Sequence, residues 1–304
     1  MRLSELPATE LASRLRDGLC WRVGPFVIRF TTPLGFLARH LGMLYADFPA
    51  VDRVDVVDAH VCVRAAGWIR RRVSILADGA VVYRKVPLSQ AVPLVEWTLN
   101  LCVFHRPSRY LLLHSAVVER DGLAAIFPGD AGSGKSTLCA ALVHRGWRLL
   151  SDEVAPVEPA DGRIVPVPRP ISLKEESIEV VKRFAPQAVF GPTWPETAKG
   201  RLAHLLPPRG SVLRMDEPAL PAWMIFPSFQ PGAAARLEPL GKPHALLHCA
   251  TNAFNYNVLG RQGFLTLADL IDRCDCYRFC YGDLEEAVAE LAGLWASGSG
   301  VAKP

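Results

Sequence analysis

The stretch Gly129-Asp130-Ala131-Gly132-Ser133-Gly134-Lys135-Ser136 fits G-x-x-x-x-G-K-[ST]. Glycines at those positions permit a turn whose backbone N–H groups converge on phosphate oxygens. The Lys135 ammonium then reaches the outer phosphates, and the Ser136 hydroxyl is placed to ligate Mg²⁺. Phosphate lies on the positive end of the helix that follows. The pattern therefore implies a nucleotide held by residues 129–137, with Thr137 closing the set.

The flanks are those the loop requires. Leu123-Ala124-Ala125-Ile126-Phe127 reads as a short buried strand, and Thr137 to His144 as a helix ended by Gly146. A second apolar run, Trp147 to Ser151, stops at the carboxylates Asp152 and Glu153. A helix of about ten residues carries the chain roughly 15 Å from the phosphates, and a parallel strand reached by a right-handed crossover carries it back. The acids then end beside the loop, where open α/β sheets bind ligands. Two carboxylates beside a polyphosphate call for a cation, and Mg²⁺ supplies it. One acid holds the metal, directly or through water, while the other orients or deprotonates an attacking hydroxyl. Spacing alone does not divide these roles. His114 lies inside the apolar run Tyr110 to Val118, where a hydrogen-bonded core histidine and a residue at a strand end near the site are both open readings.

Three runs together resemble HPr kinase/phosphorylase: His114 to Val118, Pro128 to Ser136, and Arg145 to Glu153. In that family an Asp-Asp pair follows the phosphate loop and a histidine precedes it on an adjacent strand. Pro170 to Ser177 and Lys199 to His204 resemble the HPr-kinase-related proteins associated with exosortase and with peptide-modification gene clusters. The resemblance covers residues 110 to 205 and implies a phosphate-loop kinase core related to phosphoenolpyruvate carboxykinase, using ATP and Mg²⁺ to phosphorylate a serine hydroxyl. It makes Asp152 the base on the acceptor, Glu153 the metal-side acid where the family has Asp, and His114 a neighbour of the base. Lys199 would neutralise charge on the phosphate or acceptor, with Arg169 and Lys174 as similar candidates. The longer family signature tied to phosphorolysis is not recognisable, which implies kinase activity without an efficient reverse reaction.

Composition sets the frame. The chain has 304 residues, 50% hydrophobic, with a formal charge of +4, enough to bury a sizeable core. No apolar run reaches the roughly 18 residues a membrane span needs, and Met1 to Leu6 holds no signal region. Eight cysteines without a framework spacing read as reduced thiols in the cytoplasm. Cys274, Cys276 and Cys280 read as structural thiols, the last two at alternate positions of a strand. His244 and His248 share a helical face but have no evident third ligand, so they read as incidental. Arg70-Arg71-Arg72 enters a hairpin around Asp78-Gly79 without interleaved aromatics, which argues against nucleic acid.

Further elements read as a helix at 3–17, a strand at 26–31, a helix at 33–44, alternating strand at 51–64 and a helix near 88–103. Beyond the core lie a strand at 223–226 and helices near 241–250, 264–273 and 284–297, with a flexible terminus at 297–300. Asp121-Gly122 and Asp161-Gly162 are turn signals that mix antiparallel strands into the sheet, and the proline- and glycine-rich stretch 191–221 reads as a long loop. The expectation is an α/β protein with a phosphate-loop kinase core and mixed sheet over 106–304, preceded by an α+β accessory domain over 1–105, the boundary lying at His105-Arg106-Pro107-Ser108. Its partners are a nucleotide and a serine-containing peptide, protein or small molecule; a homo-oligomer, and pyrophosphate or another nucleotide as donor, stay open. A nucleotide-gated sensor without phosphotransfer is the alternative from another class.

Overall fold

The structure, a computed structural model, describes residues 1–52, 54, 56–67, 71–104, 109–130 and 132–298. Ala131, Arg70, the segment His105 to Ser108 and the terminal Ser299-Gly300 lie outside the described residues. Two compact units make up the chain: one of Met1–Pro107, Pro168–Ile178 and Val189–Met215, the other of Ser108–Val167, Glu179–Ala188 and Asp216–Pro304. Compactness therefore divides the chain at several points.

In the first unit the stretch 3–17 is not one helix. A 3-10 turn at Leu3–Glu5 precedes α1 (Ala8–Asp17), and Pro7 between them has no N–H to continue a helical ladder. There follow β1 (Leu19–Val23), β2 (Phe26–Thr31), α2 (Gly35–Leu44), β3 (Ala50–Val51), β4 (Ala59–Ala65), β5 (Arg72–Ala77), β6 (Ala80–Pro87) and α3 (Ala91–Phe104). Their six strands form one sheet in the order β3-β1-β2-β4-β5-β6. Asp78 and Gly79 both take positive φ and close the β5–β6 hairpin as their types require. Within the stretch read as alternating strand over 51–64, the described residues form strands at its two ends, as β3 and β4.

The second unit begins with β7 (Leu111–Leu113), β8 (Ser115–Arg120), β9 (Leu123–Pro128), α4 (Lys135–Val143), β10 (Arg148–Ser151) and β11 (Ala155–Val157). The chain next supplies β12 (Ile171–Lys174), α5 (Glu176–Phe184), β13 (Trp194–Thr197), β14 (Gly200–Leu205) and α6 (Arg209–Leu213), of which the three strands and α6 belong to the first unit. The stretch 191–221, expected as a loop, is thus largely ordered. Leu202, Ala203 and Leu205 of β14 are buried, and β14 pairs with both β12 and β13. Its apolar residues outweigh the Pro and Gly around them.

The second unit is completed by β15 (Leu220–Phe229), β16 (Arg236–Pro239), α7 (Lys242–Thr251), α8 (Tyr256–Leu259), α9 (Arg261–Arg273), β17 (Asp275–Tyr281) and α10 (Leu284–Gly298). Its main sheet is mixed, in the order β10-β8-β9-β15-β17-β16. Strands β9, β15 and β17 run parallel, while β8 is antiparallel to both β9 and β10. Strand β10 therefore runs in the direction of β9, as a crossover demands, with β8 inserted between them. Period-two alternation faces Ala124, Ile126, Met224 and Phe226 toward α7 and α9 in one core. On the alternate positions Trp223 meets Trp295 of α10, with ring centroids 4.4 Å apart. A buried ion pair between Glu119 of β8 and Arg148 of β10 ties the two strands together.

Candidate functional site

Parallel strands β9, β15 and β17 end at one edge of the sheet, and the Gly-rich loop 129–134 leaves β9 there. Gly134 caps α4 with φ +93°, a left-handed conformation that side chains rarely adopt. Space decides the residue as well as the backbone. A Cβ on Gly134 would lie 2.3 Å from the Tyr281 hydroxyl oxygen and 3.1 Å from the Phe229 Cβ. The two neighbouring strand ends hold the loop directly: Tyr281 of β17 donates to the Gly134 carbonyl at 3.1 Å, and the Phe229 N–H of β15 donates to the Ser133 carbonyl at 3.2 Å. Burial pushes the Tyr281 phenol well up, so it stays a donor at neutral pH.

The Lys135 side chain is buried and donates to the carbonyls of Gly129 and Asp130, the latter at 2.8 Å. Its ammonium thus lies back over the loop. The Ser133 hydroxyl is buried with no hydrogen-bond partner among the described residues, and open space surrounds the Cβ position of Gly132. An orphaned hydroxyl, a buried ammonium and a glycine-lined cradle at a helix N-terminus match what phosphoryl oxygens require.

The two acids diverge. The Ser151 hydroxyl closes a turn over residues 151–154, accepting from the Val154 N–H at 3.0 Å and donating to the Val154 carbonyl. Of the two central residues, Asp152 is 4% exposed, and Glu153 turns outward, its Oε2 3.3 Å from Nε2 of His114. Asp152 lies on the α4 side. Burial first and the Asp152 charge second raise the Cys139 thiol well above its ordinary value, and Cys139 Sγ sits 3.8 Å from the Ser151 carbonyl. Ser136 precedes Cys139 by three residues and so shares its helix face; the helix presents one side to the acid corner.

The run Tyr110 to Val118 is not a single strand. β7 pairs with β11 and β8 with β9, and His114 occupies the break between them. The next residue, Ser115, is opposite Pro128, the last residue before the Gly-rich loop. His114 is therefore at the loop end of the sheet, its N–H donating to the Asn252 carbonyl at 2.9 Å and its ring 5.4 Å from that of Phe254. Its polar partner is Glu153, while Asp152 faces the helix.

The described part of loop 129–137, His114, Asp152 and Glu153 all belong to the second unit. Lys199 belongs to the first, in the β13–β14 turn, with its ammonium 4.7 Å from the centroid of the Trp97 ring. Arg169, also of the first unit, is committed to structure. It pairs with Glu96 at 2.6 Å, donates to the Tyr45 hydroxyl at 3.3 Å, and donates to the side-chain oxygen of Asn100. Sequence reasoning missed Tyr281 and Phe229 as buttresses, because nothing local marks a residue that acts on another about a hundred or more positions away.

Hard oxygen donors suited to Mg²⁺, from Ser136, Asp152 and Glu153, belong to the loop end of α4 and the corner after β10. Among the described residues no cluster of three or more His, Cys, Asp or Glu side chains is placed to hold a metal. All eight cysteines are free thiols, and among the described residues no helix is long and apolar enough to cross a membrane.

No family model matches the chain. Among curated proteins, the HPr kinase/phosphorylase of Streptococcus agalactiae is 34% identical over 74 residues, 24% of this chain and 22% of that protein. That of Streptococcus mutans gives the same identity and shares. The HPr kinase/phosphorylase of Clostridium beijerinckii is 32% identical over 53 residues, 17% of this chain and 18% of its own. The chain thus matches about a fifth of the length of these relatives. Over that stretch it is related to the HPr kinase/phosphorylase family.

Proposed function

We propose that this protein is a kinase of the HPr-kinase type, with a phosphate-loop core, that transfers the γ-phosphoryl group of ATP to a hydroxyl, a serine of a peptide, protein or small metabolite. One observation carries the reading: a buried carboxylate, Asp152, and a paired His114–Glu153 stand at the same sheet end as the Gly-rich loop. A buried carboxylate beside a phosphate loop is suited to accept from a hydroxyl brought to the same place.

Each residue then has a task. The loop amides, the Ser133 hydroxyl and the Lys135 ammonium bind and orient the polyphosphate, and Lys135 balances charge on the transferred group. Ser136 and one of the two acids would hold Mg²⁺, which when bound neutralises phosphate charge. Asp152 accepts the hydrogen bond of the incoming hydroxyl and orients it. Glu153 pairs with His114, and its assignment as the metal-side acid follows from the family resemblance. Catalysis of this kind is chiefly placement and electrostatic stabilisation. The cytoplasm is the proposed compartment.

The test is label transfer. Incubated with γ-labelled ATP, Mg²⁺ and free serine or serine-containing peptides, the wild-type chain is expected to yield a labelled acceptor identified by mass. Nucleotide uptake with slow hydrolysis and no labelled acceptor would contradict the kinase reading in favour of a nucleotide sensor.

A further inference from the structure

A cleft of about 700 Å³ lies between the carboxyl halves of β15 and β17, the edge strand β16 and the first turns of α7. That size belongs to organic ligands rather than to single ions. Its floor is apolar, from Phe226, Leu240 and Leu247, and Leu247 is 68% exposed. The His248 ring lies 4.9 Å from that of Phe226 and extends this floor as a flat wall.

The rim has the opposite character. His244, the other member of the helical pair that had no evident role, stands there with Arg236 and Arg278. One carboxylate, Glu238, is among them, paired with Arg236 at 3.2 Å. Arg278 is the cross-strand neighbour of Glu238, yet its guanidinium makes no ion pair or hydrogen bond among the described residues. The rim therefore carries two guanidinium groups to one carboxylate beside an exposed apolar surface. Such a combination selects a ligand with both complements, an apolar body that ends in an anion.

We propose that this cleft binds an amphipathic organic anion: a carboxylate, sulfonate or phosphate ester on an acyl or aromatic body. Its position gives the site a bearing on the rest of the unit. Ser228 and Gln230 line the mouth on either side of Phe229, whose N–H holds the Gly-rich loop. Where α7 ends, Asn252 holds the backbone of His114. The site is separate from the loop and does not depend on phosphoryl transfer.

The experiment uses the full chain with 8-anilinonaphthalene-1-sulfonate as probe and N-phenyl-1-naphthylamine, the same ring system without the sulfonate, as control. Saturable binding at one site is expected, with the sulfonate probe bound more tightly than the neutral one. Arg278→Gln should weaken the sulfonate probe about tenfold, the loss of one charge-assisted contact, and spare the neutral probe. Leu247→Asp should weaken both, with unchanged far-UV circular dichroism showing that each variant is folded. Non-saturable binding, equal affinity for the two probes, or indifference to both substitutions would overturn the proposal. Displacement of the probe by ATP that persists in Lys135→Ala would assign the cleft to the nucleotide and overturn it as well.

Discussion

Gly134 and Tyr281 make a quantitative case, because one substitution inserts an atom where the other removes one. Gly134→Ala forces an L side chain into φ +93°, a cost of about 1–3 kcal/mol. It also sets a Cβ 2.3 Å from the Tyr281 hydroxyl oxygen, and such overpacking adds about 1–3 kcal/mol. The expected destabilisation in the wild-type background is therefore about 3–5 kcal/mol. Tyr281→Phe alone removes the bond to the Gly134 carbonyl, for about 1 kcal/mol, and retains the ring packing on Phe229 and Phe279. In the Tyr281→Phe background the nearest remaining ring atom is Cζ, at 3.2 Å from the new Cβ. Gly134→Ala should then cost only its backbone strain and a mild contact, about 2 kcal/mol. Urea unfolding of the four chains, followed by circular dichroism, should show the double variant more stable than the sum of the singles by about 1–3 kcal/mol. Strict additivity within about 0.5 kcal/mol would refute the claim that the last strand sets the loop's final residue.

Other expectations follow from the same geometry. Asp152→Asn should leave nucleotide affinity within about threefold of wild type and lower phosphoryl transfer by about 10²–10⁴-fold, read by the labelled-acceptor assay. Replacing Glu119 by Gln removes the nearer carboxylate from buried Arg148 and leaves it that of Glu217 at 3.8 Å, which should cost about 3 kcal/mol in urea unfolding. Burial, and then the Arg145 charge, hold His144 below its ordinary value of 6.5. The unfolded chain therefore binds a proton that the folded one refuses, so stability should fall as pH drops below about 6.5 and level off under the folded pKa. His144→Asn should flatten that slope, as followed by thermal melts between pH 7.5 and 5.

Much of the second unit was legible where one residue type is obligatory. Asp121-Gly122 turns with both φ positive, as its dipeptide requires, and the Gly-rich run leads from a strand into a helix. Cys276 and Cys280 do lie on one strand, β17. Legibility ended where the cause is remote in sequence. Nothing in Tyr110 to Val118 tells that the strand breaks at His114, because β7 and β8 are separated by their partners, not by a local turn. The insertion of β8 between β9 and β10 is a matter of pairing rather than of pattern. Gly and Pro counts concealed β13 and β14, whose stability comes from the pairing of β14 with its neighbours. The adjacent acids looked equivalent in the sequence; a turn closed by Ser151 sends one inward and the other to His114.

The central claim is that loop 129–136 grips a polyphosphate through its amides and the Lys135 ammonium. Calorimetric titration of Mg²⁺-ATP into the wild-type chain and into Lys135→Ala tests it most directly. Saturable uptake by the wild type is expected, weakened about 10–100-fold in the variant by the loss of a charged hydrogen bond of about 1.5–3 kcal/mol. No uptake by the wild type, or equal uptake by both chains, would contradict the account.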